Sequence, residues 1–360
     1  MRLRPFVLVV ALVAALVPGV AGPARAAVAN SWGFALVTDP TVASWTTLDT
    51  TRQWGSWKTT APDLWAEGGK VSTGVFQVRF PRIGSSSLGI AHVTPVNSAG
   101  HYCAVIQWYE VTPDQIVLVQ CRAPGGVLTD TAFSVMWTYR VSYAPTATTY
   151  AYLHYRDQEN RVVHSHSSLQ GMVLAGRSST GTYQVRLYRV GAAAIPAGNV
   201  QVTAVQRQAV PRRCKVTNWM FEGTDILAEV TCYDQQGRVT WSDFTLSYHR
   251  GRSVTASLGT PQNFGYFHHW RYDANHNSVT GVGGNTISTV TPGRFTVRYP
   301  QLGVEQTHAQ VVAEGPGPNY CNLAQPWTHV GTDAELDVIC FDNAGNPVGS
   351  RIMAAFTSRT

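Results

Sequence analysis

The six cysteines are the residues whose type and spacing indicate a chemistry most directly. They occur as Cys103 and Cys121, Cys214 and Cys232, and Cys321 and Cys340. Paired thiols can bind zinc or form disulfides. A structural zinc site needs about four ligands, commonly supplied as C-x-x-C pairs, and this sequence contains no C-x-x-C pair. The even number and regular spacing therefore predict three disulfides, each between the two cysteines of one pair.

A second concentration of chemically useful side chains is the tryptophan-rich stretch from residue 45 to residue 65. It contains Trp45, Trp54, Trp57 and Trp65. A flat, exposed indole ring can stack on the apolar face of a sugar, so Trp54, Trp57 and Trp65 are candidates for ligand stacking. The alternative is that the stretch builds a small core of its own or packs on a neighbouring unit, because large aromatic side chains mostly serve burial.

Three other tryptophans follow the first cysteine of each pair at a nearly constant distance. They are Trp108, Trp219 and Trp327. Because each keeps its distance from a cysteine, we predict that these three side chains pack in the core beside the disulfides.

Arginine and aspartate also recur at matching places. The arginines are Arg79, Arg186 and Arg298, and the aspartates are Asp39, Asp157 and Asp273. A guanidinium and a carboxylate can form a bidentate pair, so we predict structural Arg–Asp ion pairs. A ligand site repeated three times is the competing interpretation.

The histidines raise the question of a metal site. They concentrate at His154, His164, His166, His268, His269 and His276. A metal site needs further ligands and a supporting second shell, and the pattern identifies neither. His154 and His268 stand at equivalent places in two predicted strands, which favours a structural role. We predict no metal and no cofactor.

Catalytic motifs are missing. The sequence contains no G-x-S-x-G, no H-E-x-x-H and no phosphate-binding glycine loop in a strand–helix context. A glycosidase needs two opposed carboxylates, and no such pair can be nominated before the fold is known. All six cysteines are assigned to disulfides, so no thiol is left for nucleophilic work. We therefore predict no catalytic residue.

The elements that carry these residues recur three times along the chain. One anchor is G-x-[FY]-x-V-R, at residues 74–84, 181–191 and 293–303. The second anchor is the cysteine stretch, and the third is a glycine shortly after the second cysteine, followed by an alternating run. Three anchors in one order indicate a triplication. We name the units repeat 1 (residues 27–145, with the insertion 45–65), repeat 2 (146–255) and repeat 3 (256–360).

Each repeat reads as β structure. In the V-R strand, for example, Phe76, Val78 and Phe80 share one face while Gln77 and Arg79 share the other. Turn residues separate several such runs. The sequence therefore predicts an all-β protein of three tandem, homologous sandwich-like or barrel-like domains, each with one internal disulfide. The domains are expected to pack in a row or about a pseudo-threefold axis.

The amino-terminal residues predict export. Arg2 and Arg4 precede an apolar run from Phe6 to Val17, and residues 24–26 form a small-x-small cleavage site. We therefore expect a signal peptide over residues 1–26 and no membrane span after cleavage. Loss of this segment lowers the net charge from +6 to +3. No basic run supports nucleic-acid binding. The oligomeric state is not predicted.

The chain resembles a group of secreted actinobacterial repeat proteins that have no settled function. The resemblance is carried by the segments 39–46, 181–191, 199–205 and 340–348. It implies secretion and a tandem β architecture, and it implies no activity. We expect a secreted, non-catalytic binding protein at or outside the cell surface, with carbohydrate or envelope polymer preferred as ligand. The alternatives are a secreted hydrolase with a site between domains and a purely structural or interaction repeat protein.

Overall fold

The computed structural model describes residues 30–140, 148–191, 197–207, 210–257 and 263–359. The expected cleavage after Ala26 lies outside the described residues. In the part of the chain that is described, no helix has the length and apolar character needed to cross a membrane. The all-β prediction is confirmed. The strands form three sheets of nine strands each, and two short 3-10 helices lie at Ser56–Thr59 and Tyr272–Ala274.

Strands occur throughout the three repeats. In repeat 1 they are β1 (Ser31–Val37), β2 (Thr46–Thr47), β3 (Gln53–Gly55), β4 (Glu67–Ser72), β5 (Val75–Phe80), β6 (Ile90–Val96), β7 (Tyr102–Val111), β8 (Asp114–Arg122) and β9 (Ala132–Tyr139). In repeat 2 they are β10 (Thr149–Arg156), β11 (Arg161–Ser167), β12 (Val173–Ser179), β13 (Thr182–Leu187), β14 (Asn199–Val205), β15 (Arg213–Glu222), β16 (Asp225–Tyr233) and β17 (Asp243–Arg250). In repeat 3 they are β18 (Phe264–His268), β19 (His276–Asn277), β20 (Gly281–Val282), β21 (Thr286–Thr291), β22 (Arg294–Tyr299), β23 (Thr307–Glu314), β24 (Tyr320–Leu323), β25 (Thr328–Val330), β26 (Asp333–Phe341) and β27 (Arg351–Ser358).

Each sheet joins half of one repeat to half of another. We call strands β1, β6 and β9 and their equivalents the terminal half of a repeat, and strands β4, β5, β7 and β8 and their equivalents the Cys half. The terminal half of repeat 1 continues the Cys half of repeat 3. In the same way, the terminal half of repeat 2 continues the Cys half of repeat 1, and that of repeat 3 continues the Cys half of repeat 2. The arrangement is cyclic, because each repeat shares one sheet with each of the other two.

The joints between repeats are short and parallel. Their register pairs are Val205 with Val105, Glu314 with Val216, and Val96 with Leu323. Each joint is extended by one backbone hydrogen bond, such as that from the N–H of Gln206 to the carbonyl of Val105 at 2.7 Å. Because the two halves of a sheet belong to different repeats, an isolated repeat would expose two unpaired strand edges.

Each repeat nevertheless has its own hydrophobic core, which lies between its terminal half and its Cys half. The alternation predicted for the V-R strand is confirmed, since Phe76, Val78 and Phe80 are buried while Gln77 and Arg79 are partly exposed. The equivalent residues Tyr183, Val185 and Leu187 are buried in repeat 2. The apolar area that is buried on one side of each strand stabilises the core of each repeat.

The three disulfides form as predicted, one in each repeat. Their Cα–Cα distances are 4.0 Å for Cys103–Cys121, 4.0 Å for Cys214–Cys232 and 3.9 Å for Cys321–Cys340. In each case the two cysteines are directly opposed register partners on neighbouring antiparallel strands. The bond therefore fixes the pairing of the two Cys strands.

The region where the repeats meet contains buried polar side chains. His92 is fully buried, with Nε2 2.9 Å from the Ser247 hydroxyl and Nδ1 3.1 Å from the Thr203 hydroxyl. His308 is also buried and lies 2.8 Å from the Ser134 hydroxyl. Burial lowers the pKa of each of these histidines to about 3. Both rings are therefore neutral at physiological pH and hold repeats together through hydrogen bonds.

Candidate functional site

Trp57 is part of the core of repeat 1. Its side chain is only 1% exposed, and its ring stacks on Phe80 with a centre-to-centre distance of 5.9 Å. The indole N–H donates to the Leu64 carbonyl at 3.0 Å. Gly55 makes room for the ring, because a Cβ at that position would lie 1.8 Å from a Trp57 ring atom. The prediction that Trp57 stacks on a ligand is therefore wrong, since neither face of its ring is open.

The rings of Trp54 and Trp65 contact a cationic side chain of the same protein, that of Lys58. Both are half-buried. The Lys58 ammonium lies 3.1 Å from the centre of the Trp65 ring and 5.1 Å from that of Trp54. Its Nζ also donates to the Pro62 carbonyl at 2.7 Å, and burial lowers the pKa of Lys58. The ligand-stacking role of Trp54 and Trp65 stays a prediction, and the structure brings these rings together around Lys58 instead.

The repeated arginines pair with acidic residues, but not with the predicted ones. Arg186 Nη2 lies 2.8 Å from Asp225, and Arg298 Nε lies 2.6 Å from Asp333. Arg79 pairs with Glu67 and lies 3.9 Å from the equivalent Asp114. These aspartates lie at the start of the second Cys strand, directly across the sheet from the V-R strand. The predicted partners were wrong because they were chosen from chain order and not from strand pairing.

The same aspartates bind a backbone turn. Asp225 accepts a hydrogen bond from the N–H of Arg189 at 3.0 Å, and Asp333 accepts one from Gln301 at 2.9 Å. Arg189 and Gln301 have φ values of 66° and 60°, in the left-handed region that non-glycine residues seldom adopt. Each aspartate thus binds both the backbone of a strained turn and an arginine side chain. Its role is therefore structural.

The predicted aspartates have other partners. Asp39 is exposed and accepts hydrogen bonds from its neighbour Thr41. Asp273 pairs with Arg271 at 2.8 Å. Asp157 binds Arg177 through both carboxylate oxygens, at 2.9 Å each. Asp157 and Asp273 are therefore members of ion pairs, but within their own repeats and with arginines that the sequence interpretation did not select.

The repeated tryptophans are buried, as predicted. Trp108, Trp219 and Trp327 are between 1% and 4% exposed and belong to the same cores as the disulfides. His154 packs on Trp108 at 4.8 Å, and His268 lies 6.3 Å from Trp219. These histidines come from the following repeat, so they pack across the boundary between repeats. In the described ranges, no group of three or more metal-ligating side chains forms a candidate metal site.

A cleft of about 240 Å³ opens beside Trp241, which the sequence interpretation did not select. Trp241 is 38% exposed and precedes strand β17. The other polar residues that line the cleft are Asp157, Gln158, Gln206, Arg207, Arg212, Ser242 and Asp243. The cleft thus combines one partly exposed aromatic ring with several planar hydrogen-bonding side chains.

The acidic residues of this cleft differ in their environment. Both oxygens of Asp157 are bound to Arg177, and Oδ1 also accepts from the Tyr183 hydroxyl at 3.0 Å. Asp243 accepts a hydrogen bond from the Asp157 N–H at 2.8 Å. Burial raises the pKa of Asp243. Asp157 thus accepts through both oxygens, whereas among the described residues Asp243 accepts only from the Asp157 N–H, which leaves Oδ2 for a ligand.

The arginines of the cleft are positioned by the backbone. Arg212 donates to the Trp241 carbonyl at 3.0 Å and to the Pro211 carbonyl at 2.9 Å. Arg207 is exposed at the mouth of the cleft. Within the described ranges, neither arginine forms an ion pair, so the charge of each guanidinium is available to a ligand. Arg212 also fixes the backbone of Trp241.

A wider groove of about 620 Å³ runs over the outer face of the Cys half of repeat 2. Leu174 and Met220 form part of its floor and are 47% and 48% exposed. Arg186, on this face, already pairs with Glu222 and Asp225. Arg177 also lines the groove and pairs with Asp157. Both guanidinium groups of the groove are thus occupied by carboxylates of the protein.

Comparison with known proteins finds no matching family model, no matching curated protein and no matching solved structure. The resemblance to secreted actinobacterial repeat proteins therefore stays a prediction. The function is proposed from the geometry of the clefts instead.

Proposed function

We propose that this protein is secreted and binds a carbohydrate or a related envelope polymer at or outside the cell surface, without changing it chemically. The observation that carries the proposal is the Trp241 cleft. It replaces the tryptophan-rich insertion as the place where a sugar ring would stack, because Trp241 lies in a cleft lined by polar side chains whereas Trp57 is buried.

The composition of the cleft suits a sugar. The apolar face of a pyranose packs on an indole ring, while its hydroxyls need donors and acceptors around the rim. Trp241 supplies the ring, Asp243 an acceptor, and Arg207 and Arg212 supply donors. Gln158 adds an amide that can both donate and accept. A few oriented polar groups around one aromatic surface are what a specific small-molecule site requires.

Export is supported by two separate features. The amino-terminal segment has the organisation of a signal peptide, and the described chain contains three disulfides and no free cysteine. Disulfides persist in oxidising compartments and are rare in the cytosol. Both features favour an extracellular location for the cleft, where envelope polymers are available.

The carboxylates of the cleft favour binding over hydrolysis. A glycosidase uses two carboxyl groups, one as acid and the other as base or nucleophile. Asp157 is held by Arg177 and Tyr183 through both of its oxygens, so it is a poor base or nucleophile. Asp243 is then the one carboxyl group of the cleft that is open to a ligand.

The proposal can be tested by incubating the mature protein with insoluble cell-wall polysaccharides and with soluble polymers in affinity electrophoresis. Trp241→Ala removes the stacking surface, and Trp270→Ala serves as the matched control because Trp270 is 71% exposed but does not line the cleft. Release of reducing sugar is measured in parallel to detect hydrolysis.

We expect at least one polymer to retain the parent protein and the Trp270→Ala variant, but not the Trp241→Ala variant, with no release of reducing sugar. Absence of retention by every polymer would overturn the proposal. Release of reducing sugar that is lost in Asp243→Asn would support the hydrolase alternative instead.

A further inference from the structure

A third cavity, here called the axial cavity, is lined by residues from equivalent places in all three repeats. Its volume is about 60 Å³. The residues before the first cysteine of each repeat line it, together with those cysteines: Tyr102, Arg213, Tyr320, Cys103, Cys214 and Cys321. All three disulfides therefore converge on this cavity. The repeats differ here in charge, since repeat 2 contributes arginine where repeats 1 and 3 contribute tyrosine.

Arg213 is buried at this cavity without a carboxylate partner. Its residue is 8% exposed, and its guanidinium lies between the rings of Tyr102 and Tyr320, at 4.6 Å and 4.4 Å from their centres. Nη2 donates to the Asn343 side chain. Nε and Nη1 are buried and find no acceptor among the described residues. Two N–H directions of a buried cation are thus unsatisfied.

A second cation lies beside the first. Lys215 is 3% exposed and also lines the cavity. Its Nζ donates to the Asn319 amide oxygen at 2.5 Å, and burial lowers the pKa of Lys215 to about 7. Among the described residues that line the cavity, none is an aspartate or a glutamate. The wall of the cavity therefore carries positive charge alone.

We propose that this axial cavity binds a small monovalent inorganic anion of the halide class. A buried charge is stable only when it is paired and hydrogen-bonded, and the chain offers Arg213 no carboxylate in the cavity. A volume of about 60 Å³ accommodates a chloride-sized ion, since a water molecule has a share of liquid volume of about 30 Å³. One permanent guanidinium charge matches one monovalent anion.

The anion would act as a link between repeats. Arg213 belongs to repeat 2, whereas Tyr102 belongs to repeat 1 and Tyr320 and Asn343 belong to repeat 3. An ion that neutralises Arg213 therefore stabilises the point at which all three repeats touch. Because the ion binds the folded state, its presence raises stability in proportion to the logarithm of its concentration above Kd.

The test uses the full mature protein with chloride and bromide as probes. Crystals soaked in sodium bromide are examined for anomalous scattering, and melting temperatures are measured in sodium chloride and in sodium gluconate at equal ionic strength. Arg213→Met removes the cation, and Arg161→Met removes an exposed arginine that pairs with Glu159 elsewhere in repeat 2.

We expect a bromide peak beside Arg213 and a melting temperature about 2 °C higher in chloride at roughly ten times its Kd than in gluconate. Arg161→Met should keep this difference and Arg213→Met should lose it. Bromide bound only at exposed arginines, or equal melting temperatures of the parent in the two salts, would overturn the proposal. The bromide soak of the parent protein decides the question if Arg213→Met does not fold.

Discussion

The guanidinium of Arg177 lies 4.6 Å from the centre of the Trp241 ring. The same guanidinium binds both carboxylate oxygens of Asp157. Arg177 lines the wide groove of repeat 2, whereas its partner Asp157 lines the cleft. The ring that is proposed to bind a sugar is therefore held by an ion pair before any ligand arrives.

This support can be weakened without removing a residue of the cleft. Arg177→Met deletes the cation–π contact, which is worth about 0.5–1 kcal/mol at an exposed site. We expect a two- to fivefold loss of affinity for the polymer identified by screening, measured by isothermal titration calorimetry. Arg161→Met, at an arginine that pairs with Glu159 instead, should leave affinity unchanged. Equal affinities of the Arg177→Met variant and the parent would show that Arg177 does not position the ring.

Substitution of Trp57 should lower the stability of the protein and leave polymer binding unchanged. Because its ring fills the core of repeat 1, Trp57→Ala should destabilise the protein by about 3–5 kcal/mol. Polymer binding should be unchanged at temperatures where the variant is folded. Urea unfolding followed by a binding assay checks both parts. A stable Trp57→Ala variant that has lost binding would restore the insertion as the ligand site.

The repeated aspartate makes a stability prediction. Burial alone would raise the pKa of Asp225, but hydrogen bonds from the Arg189 N–H and from Arg186 outweigh this effect, so the pKa lies below its usual value. The contribution of Asp225 is therefore present above about pH 4 and is lost as the pH falls through the lowered pKa. Asp225→Asn should cost about 1–3 kcal/mol at pH 7.

Asp39→Asn is the matched control for this change, because Asp39 is exposed and contacts only Thr41 among the described hydrogen bonds. Its effect on stability should be far smaller than that of Asp225→Asn. Urea unfolding at pH 7 measures both variants. Similar free energies of unfolding for the two would contradict the structural role assigned to Asp225.

The buried histidines predict a loss of stability in weak acid. Burial lowers the pKa of His92 to about 3, whereas an unfolded histidine has a pKa of about 6.5. The unfolded chain therefore binds the proton first, and stability falls as the pH drops from about 6.5 towards 3. For one such histidine the loss between pH 7 and pH 5 is about 2 kcal/mol.

Repeats 2 and 3 suggest the substitution that tests this effect. Gln201 and Gln310 occupy the places that correspond to His92, so His92→Gln is compatible with the fold. Thermal or urea unfolding between pH 7 and pH 5 should show that this variant loses about 2 kcal/mol less than the parent. His329→Gln, at an exposed position, should change the pH profile far less. An unchanged profile in His92→Gln would mean that this histidine is not the source of acid sensitivity.

Local features of the fold could be predicted from the sequence, because they depend on neighbouring residues. Alternation identified the face of β5 that carries Phe76, and spacing identified the pairing of Cys103 with Cys121. The joints between repeats could not be predicted, because each contains one register pair such as Val205 with Val105. A joint that consists of one residue pair leaves no periodic pattern in the sequence.

The candidate site was missed for a related reason. Its residues come from the ends of different strands, and only strand pairing brings Asp157 close to Asp243. A signal did exist, since Trp241 stands where the other repeats have Asp130 and Gly349. The cleft could therefore have been predicted from a position at which the repeats differ. The high number of tryptophans in the insertion favoured that stretch instead.

The affinity of the Trp241→Ala variant tests the central claim most directly. Isothermal titration with a soluble fragment of the retained polymer would compare the parent, Trp241→Ala and Trp270→Ala. Truncation of a central aromatic contact commonly costs about 2 kcal/mol or more. We predict that Trp241→Ala weakens binding by about thirtyfold, whereas Trp270→Ala binds with the affinity of the parent protein. A Trp241→Ala variant that binds as tightly as the parent would contradict this prediction.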